Sequence, residues 1–311
     1  MTFDLYAELA SRTAGPTDGS LHAGLASGFV DGCTEWSARG NNQRNDARRQ
    51  YLQRASSETL ELPKWLQLEP QLDRLPDSSW VAFEVTFTLQ TPWYSKDDRP
   101  FHVLDNPVRK DRVFGVPYLA AASWKGLLRW TLEMTTGLIG PSPTADEEDR
   151  KKAKAIVLHL FGNEKAKDNE EVRAKDLQQG ALVFYPTWFD KIGFEVINPH
   201  SRKTRAGTQP IYYEVVPAGA KGTLRLLYAP LPGAAARDKA KPEDAIERLL
   251  EAIQALLTTY GISAKRTAGW GTASVSRWTA RRRGQTPIEE TALAEFKTTL
   301  KPWVDTEARD G

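Results

Sequence analysis

Between Trp80 and Gln90 the sequence reads WVAFEVTFTLQ, with Val81, Phe83, Val85, Phe87 and Leu89 on every second position. A period of two puts all five on one face of an extended strand, and β-branched and aromatic side chains suit such a pleated, half-buried surface. The segment therefore commits the chain to a sheet with one covered face, and the cover must come from elsewhere. SWKGLLRWTLEMTTG opens on Ser123 as an N-cap, sets Trp124, Leu127, Leu128 and Met134 on one side and closes at Gly137, which predicts an amphipathic helix. PEDAIERLLEAIQALLTTYG predicts a second, with Pro242 near its start, acids in the first turn and Gly261 at its end. A shorter apolar run, AIVLHLFG, predicts helix up to Gly162.

ALVFYPTWFD, PIYYEVVP and GTLRLLYAP are short β-branched and aromatic runs separated by turn residues, a small strand is expected at Phe194 to Ile197, and TASVSRW closes the pattern. The order is that of an α+β, ferredoxin-like (RRM-like) β-α-β-β-α-β core with inserted helices. After the first strand comes TPWYSKDDRPFHVLDNPVRKDRVFGVPYL, about thirty residues with several prolines and no helical period, too long for an ordinary connection. The expected organisation is an N-terminal extension over residues 1–78, the core with its insertions over 79–280, and a C-terminal tail over 281–311.

The chain is 40% hydrophobic and 26% charged, a globular composition. Cys33 is the only cysteine, which excludes an intrachain disulfide framework and a thiolate zinc cage and fits a reducing, cytoplasmic setting. No run approaches the roughly 20 apolar residues of a membrane span, and the N-terminus has no basic segment leading into an apolar one, so neither membrane insertion nor secretion is expected.

The net charge of +2 conceals segregation. Residues 261–283 hold six basic residues and no acid, residues 200–225 five against Glu214 alone, and residues 96–129 seven against four aspartates. Each run also contains glycine, proline or aromatic residues, a combination suited to a polyanionic backbone. Within GISAKRTAGWGTASV, Gly261, Gly269 and Gly271 permit close backbone approach to a phosphate, Lys265 and Arg266 supply charge, and Trp270 a stacking face. The alternative is a tight helix-to-strand connection. A dinucleotide fingerprint follows a strand and opens a helix, whereas this segment does the reverse.

These residues resemble the RAMP superfamily of type III CRISPR effector subunits. Its members carry a Pro-Tyr-Ile-Pro-Gly-Ser-Ser-Leu-Lys-Gly segment opening the first helix, and Pro117, Tyr118, Leu119, Ser123, Lys125 and Gly126 match it in register. Gly269 and Gly271 with their basic neighbours match the family's second motif, a glycine-rich basic loop before the last strand. Ala120, Ala121 and Ala122 depart from the family's Pro-Gly-Ser. The resemblance covers roughly Trp80 to Trp278 and implies an antiviral ribonucleoprotein in which this subunit binds crRNA and target RNA beside other effector subunits. It implies RNA contacts at Lys125, Arg129, Arg202, Lys203, Arg205, Lys265, Arg266, Gly269, Trp270 and Gly271.

LDNPVRKDRVFGVPYL resembles the segment in which target-cleaving subunits carry a loop aspartate. The matching residue is Asp105, implied as catalytic for target RNA with a divalent cation, Mg or Mn, and with His102 close enough to assist. As a residue type, an aspartate before Asn-Pro is equally a turn former. INPHSRKTRAGTQPIYYEVVPAG resembles instead the non-cleaving subunit that caps the RNA-bound filament, so a cutter and a cap both stand as expectations. A stand-alone guide-processing nuclease would need a histidine base, and His22, His102, His159 and His200 do not cluster in sequence. Trp93 and Tyr94, at the end of the first strand, are candidates to wedge between bases.

Overall fold

The computed structural model describes residues 33–34, 36–57, 59–60, 72, 74–98, 102–111, 114–140, 146–163, 177–198, 207 and 210–304. Among these, β1 (Val81–Leu89) is the central strand of a five-stranded antiparallel sheet. β7 (Lys221–Tyr228) and β8 (Ala273–Arg281) flank it, pairing Val85 with Leu224 and with Trp278, and β3 (Leu182–Phe184) and β9 (Ile288–Glu290) form the edges. The alternation behaves as expected: Phe83, Val85, Phe87 and Leu89 are at most 1% exposed, while Glu84, Thr86 and Thr88 point to the other face.

The cover for the apolar face is α2 (Ala121–Thr135), α3 (Glu147–Phe161) and α5 (Pro242–Ala255), which bury Trp124, Leu128, Leu160, Leu249 and Ile253 against it. Each such side chain taken fully out of water contributes about 1.5–3 kcal/mol before entropy is counted. α2 begins two residues before Ser123, with Ala120 at the cap and no side-chain bond there. The preceding pairing of β2 (Tyr118–Leu119) with β4 (Thr187–Trp188) fixes where the chain turns, and three alanines enter a helix readily without a capping hydroxyl. α3 has the cap it needs, since the Asp146 side chain accepts from the Glu148 and Asp149 amides. Its Asp146, Glu147 and Glu148 also sit well at the positive end of the helix.

Three further features complete the described fold. Residues after Arg281 continue into β9 and α6 (Leu293–Val304), whose Phe296, Leu300, Trp303 and Val304 join the main core. β5 (Gly193–Ile197) and β6 (Ile211–Val215) form a separate two-stranded ribbon. α1 (Asn41–Ser57) buries only Ala47, Tyr51 and Ala55, yet these anchor a second cluster with Cys33, Val103, Leu104, Val116 and Ile192. Val103, Leu104 and Val116 of the loop after β1 are thereby packed under α1, and a short α4 (Ala234–Asp238) precedes α5. No helix among the described residues is long and apolar enough to cross a membrane.

Candidate nucleic-acid interface

The helix α5 ends in a π-turn over Leu256–Tyr260 and stops at Gly261, whose φ is 78°. Ten residues later Gly271, at φ 87°, returns so close that a Cβ there would meet the Ser263 amide nitrogen at 2.4 Å. Only glycine closes this loop. The closure consumes amides expected to face a phosphate: Gly261 N–H donates to Leu256 O (2.7 Å) and Gly269 N–H to Arg266 O (2.8 Å). These two glycines shape the loop, and external contact falls to its side chains.

Those side chains are held by aromatic rings. Lys265 Nζ lies 4.5 Å from the centre of the Tyr213 ring, and the Arg266 guanidinium 4.4 Å from that of Trp130. Both are within the range of cation–π attraction, which fixes each cation without neutralising it. Tyr213 meets Tyr94 edge-on at 5.1 Å and Trp270 at 6.0 Å, and Trp130 meets Tyr260 at 5.1 Å. Burial, then Tyr213 and Glu214, push the Tyr94 hydroxyl up to about 12, so it stays neutral. Arg266 Nη1 is shut off from water and meets no hydrogen-bond acceptor among the described residues. A charged donor left in that state is costly, so the arrangement calls for an acceptor from outside.

Trp270 is half-buried and Gly269 exposed in this loop. On α2, Lys125 is exposed, whereas Arg129 pairs with Glu133 at 3.2 Å. Arg202, Lys203, Arg205 and His200 fall outside the described residues, between β5 and β6. The platform rings Tyr213 and Trp130 escape a search for basic runs. Their signal was aromatic residues inside PIYYEVVP and helix α2, which became meaningful only when the fold set them beneath the two cations. The sheet positions that an RRM would use for stacking instead hold Glu84, Thr86, Thr88, Thr223, Arg225 and Arg277, with Glu84 bound by Arg225 (2.9 Å) and Arg281 (3.4 Å).

Trp93 and Tyr94 are not wedges. Trp93 is fully buried, tilted against Phe189 at 5.0 Å, and donates Nε1–H to Ile262 O at 3.0 Å, while Tyr94 is 5% exposed. Their apolar area is worth more inside the core than displayed at the end of a strand. Cys33 is equally withdrawn, its thiol pushed up to about 12 by burial and thus unreactive.

Asp105 projects from the loop after β1 with 86% of its side chain exposed, 3.5 Å from Arg48 Nη2 of α1. His102 Nδ1 accepts from the Leu104 amide at 3.1 Å, and its ring stands edge-on to Tyr51. The donors do not fit a resident divalent cation: this carboxylate lies beside a guanidinium, and no three His, Cys, Asp or Glu side chains converge among the described residues. Behind the loop lies a buried charge network. Glu214 receives Lys110 Nζ at 2.7 Å on each oxygen, Tyr51 OH at 2.5 Å and the Val108 amide at 2.9 Å. Burial pushes this carboxyl up, but Lys110, His102 and Tyr51 together outweigh burial and hold it below its ordinary value. Asn106 bridges to the same strand, accepting from Glu214 N–H and donating to Tyr212 O.

The family model described as the RAMP superfamily matches residues 86–274. No curated protein matches the chain. Among solved structures, the Type III-B Cmr-beta bound to cognate target RNA aligns with a TM-score of 0.50 and 15% identity over 78% of this chain and 75% of the other. The Csm3-Csm4 subcomplex of the type III-A CRISPR-Cas interference complex aligns at 0.41 and 17% identity over 72% and 95%, and a CRISPR RNA-guided surveillance complex at 0.42 and 17% over 71% and 75%.

Proposed function

Because this chain belongs to the RAMP superfamily across residues 86–274, we propose that it is an RNA-binding subunit of a type III CRISPR ribonucleoprotein, gripping crRNA backbone through the loop 261–271 and α2. The observation that carries this is Arg266, set on Trp130 with a buried Nη1 that meets no acceptor among the described residues, next to Lys265 on Tyr213. A phosphate oxygen satisfies that donor and meets the positive charge. Half-buried Trp270 adds a face for a base. Such contacts carry no sequence information, which base pairing with the target supplies. The aligned Cmr-beta complex is itself bound to target RNA. The path β1, α2, β3, β7, α5, β8, with sheet order β3-β7-β1-β8, supports reading the core as the ferredoxin-like unit of such subunits. Effector subunits and RNA as partners imply a cytoplasmic site of action.

Asp105 is the proposed residue for cutting bound target RNA, supported by its exposure on the loop after β1. RNA brings its own nucleophile in the 2′-hydroxyl, so the carboxylate's part is to orient or deprotonate it. A divalent ion there would depend on RNA oxygens, because the protein offers this carboxylate beside a cation. That same Arg48 neighbour favours a second reading, a filament cap that binds RNA without cutting. Assembled complexes carrying Asp105→Ala decide between them: loss of cutting with target binding intact supports catalysis, and unchanged cutting at every position refutes it. For the grip itself, Lys265→Ala with Arg266→Ala is expected to lower the slope of log affinity against log salt by about 1.4, or 0.7 per single-strand phosphate contact. An unchanged slope refutes it.

A further inference from the structure

We propose that α1 is a second phosphate-binding element, in which Arg44 and Arg48 hold an RNA backbone beside Asp105. The inference rests on the RNA-binding reading but on different residues, outside the segment that matches the family model. Residues 39–57 contain five arginines and a single acid, Asp46. Asp46 is already occupied by Arg49 at 2.6 Å, Gln50 at 2.7 Å and the Trp36 indole at 3.2 Å.

Arg48 is fixed where it stands. Its Nε–H donates to Val103 O at 3.2 Å, which sets the plane of the guanidinium, and Nη2 lies 3.5 Å from Asp105. With Asp105 86% exposed, that ion pair contributes little to folding. What it achieves is to place a planar, bidentate donor at the rim of the Asp105 loop, a geometry matched to phosphate. Arg44 lies one turn earlier on the same side, about 6 Å along the axis, and is exposed with no ion partner among the described residues. Arg39 continues the series, seated on Trp36 at 5.1 Å. Exposed Asn41, Asn42 and Asn45 add neutral donors.

β6 ties this element to the first one. Consecutive residues of a strand face opposite ways, so Tyr213 supports Lys265 while Glu214 holds Tyr51 of α1 at 2.5 Å. The two basic elements thus lie on either side of one ribbon, and a guide–target pair offers two backbones to hold. An acidic protein surface would need only charge, whereas guanidinium forks interleaved with amide donors suit phosphodiester oxygens.

The test uses the assembled complex with 4-thiouridine placed in either the guide or the target strand, crosslinked and mapped to peptides. Crosslinks to residues 41–57 from one strand are expected, and the labelled strand identifies which backbone α1 holds. Crosslinking of α1 to a neighbouring protein in place of RNA overturns the proposal. In parallel, Arg44→Ala with Arg48→Ala is expected to weaken binding of that strand about tenfold and to lower the salt slope by about 1.4. Arg44→Ala alone, which breaks no ion pair among the described residues, is expected to give about half that change in slope. Unchanged affinity and slope in these variants, with Lys265→Ala/Arg266→Ala weakened, overturns this inference and leaves the proposed function standing. No change in either pair overturns both.

Discussion

Removing Glu214 should damage a specific part of this protein by a predictable amount. The side chain is 0% exposed and satisfies Lys110 on both oxygens, the Tyr51 hydroxyl and the Val108 amide. Glu214→Ala leaves a buried ammonium, a phenol and a backbone donor without it, and breaking one side of a buried pair costs about 3–5 kcal/mol. The loss should concentrate in the smaller cluster of Tyr51, Val103, Leu104 and Val116, because among these Glu214 partners Val108 alone belongs to the main core under the sheet. Urea unfolding at neutral pH gives the total, and hydrogen exchange of α1 and of residues 102–111 shows where it falls. The double variant Lys110→Met/Glu214→Leu removes both charges, and apolar replacement of a buried pair is near neutral, so it should be more stable than Glu214→Ala. A single-variant loss below about 1 kcal/mol, or a double variant worse than the single, refutes the reasoning that buried charge, rather than packing, makes this network sensitive.

Other outcomes follow from the same structure. Glu214 has its folded value held down, so its contribution is present above its ordinary value near 4.5 and is lost as pH falls through the lower folded value; acid titration of Glu214→Gln should lack that loss. His159, bound to Asp238 (3.2 Å) and Tyr228 (2.8 Å), has its value lowered, chiefly by burial, so stability should decline as pH falls below about 6.5, and His159→Gln should flatten that step. Gly271→Ala should destabilise by at least about 1–3 kcal/mol through both its positive φ and the 2.4 Å clash, while Gly269→Ala, facing open space, should cost only about 1–2 kcal/mol for its φ of 78°. Thermal unfolding of the two glycine variants checks the contrast.

The periodic elements were legible because their cause is local. Alternation at Val81 to Leu89, the spacing and terminal Gly261 of α5, and the stop at Gly162 need only neighbours a few residues away. The family motif was likewise carried by contiguous residues, and so were Lys265 and Arg266. The fate of Trp93 was not, since a bulky aromatic at a strand end reads the same whether it is displayed or swallowed by Phe189 and Ile262. Nor was α1 legible as part of a site, because its polar sequence reveals nothing about Val103 and Asp105, more than fifty residues away.

The sequence alone therefore determined the strand and helix inventory, the segregated charge and the family resemblance, all properties of short windows. Tertiary structure decided which rings support which cations, that two loop glycines direct their amides inward, and that Glu214, the lone acid of a basic run, is buried as the counter-ion of Lys110. The reason is that side-chain partnership depends on burial and long-range closure. Tyr51 and Glu214 are 163 residues apart, and their 2.5 Å hydrogen bond exists only once α1, the loop after β1 and the β5–β6 ribbon have closed on one another.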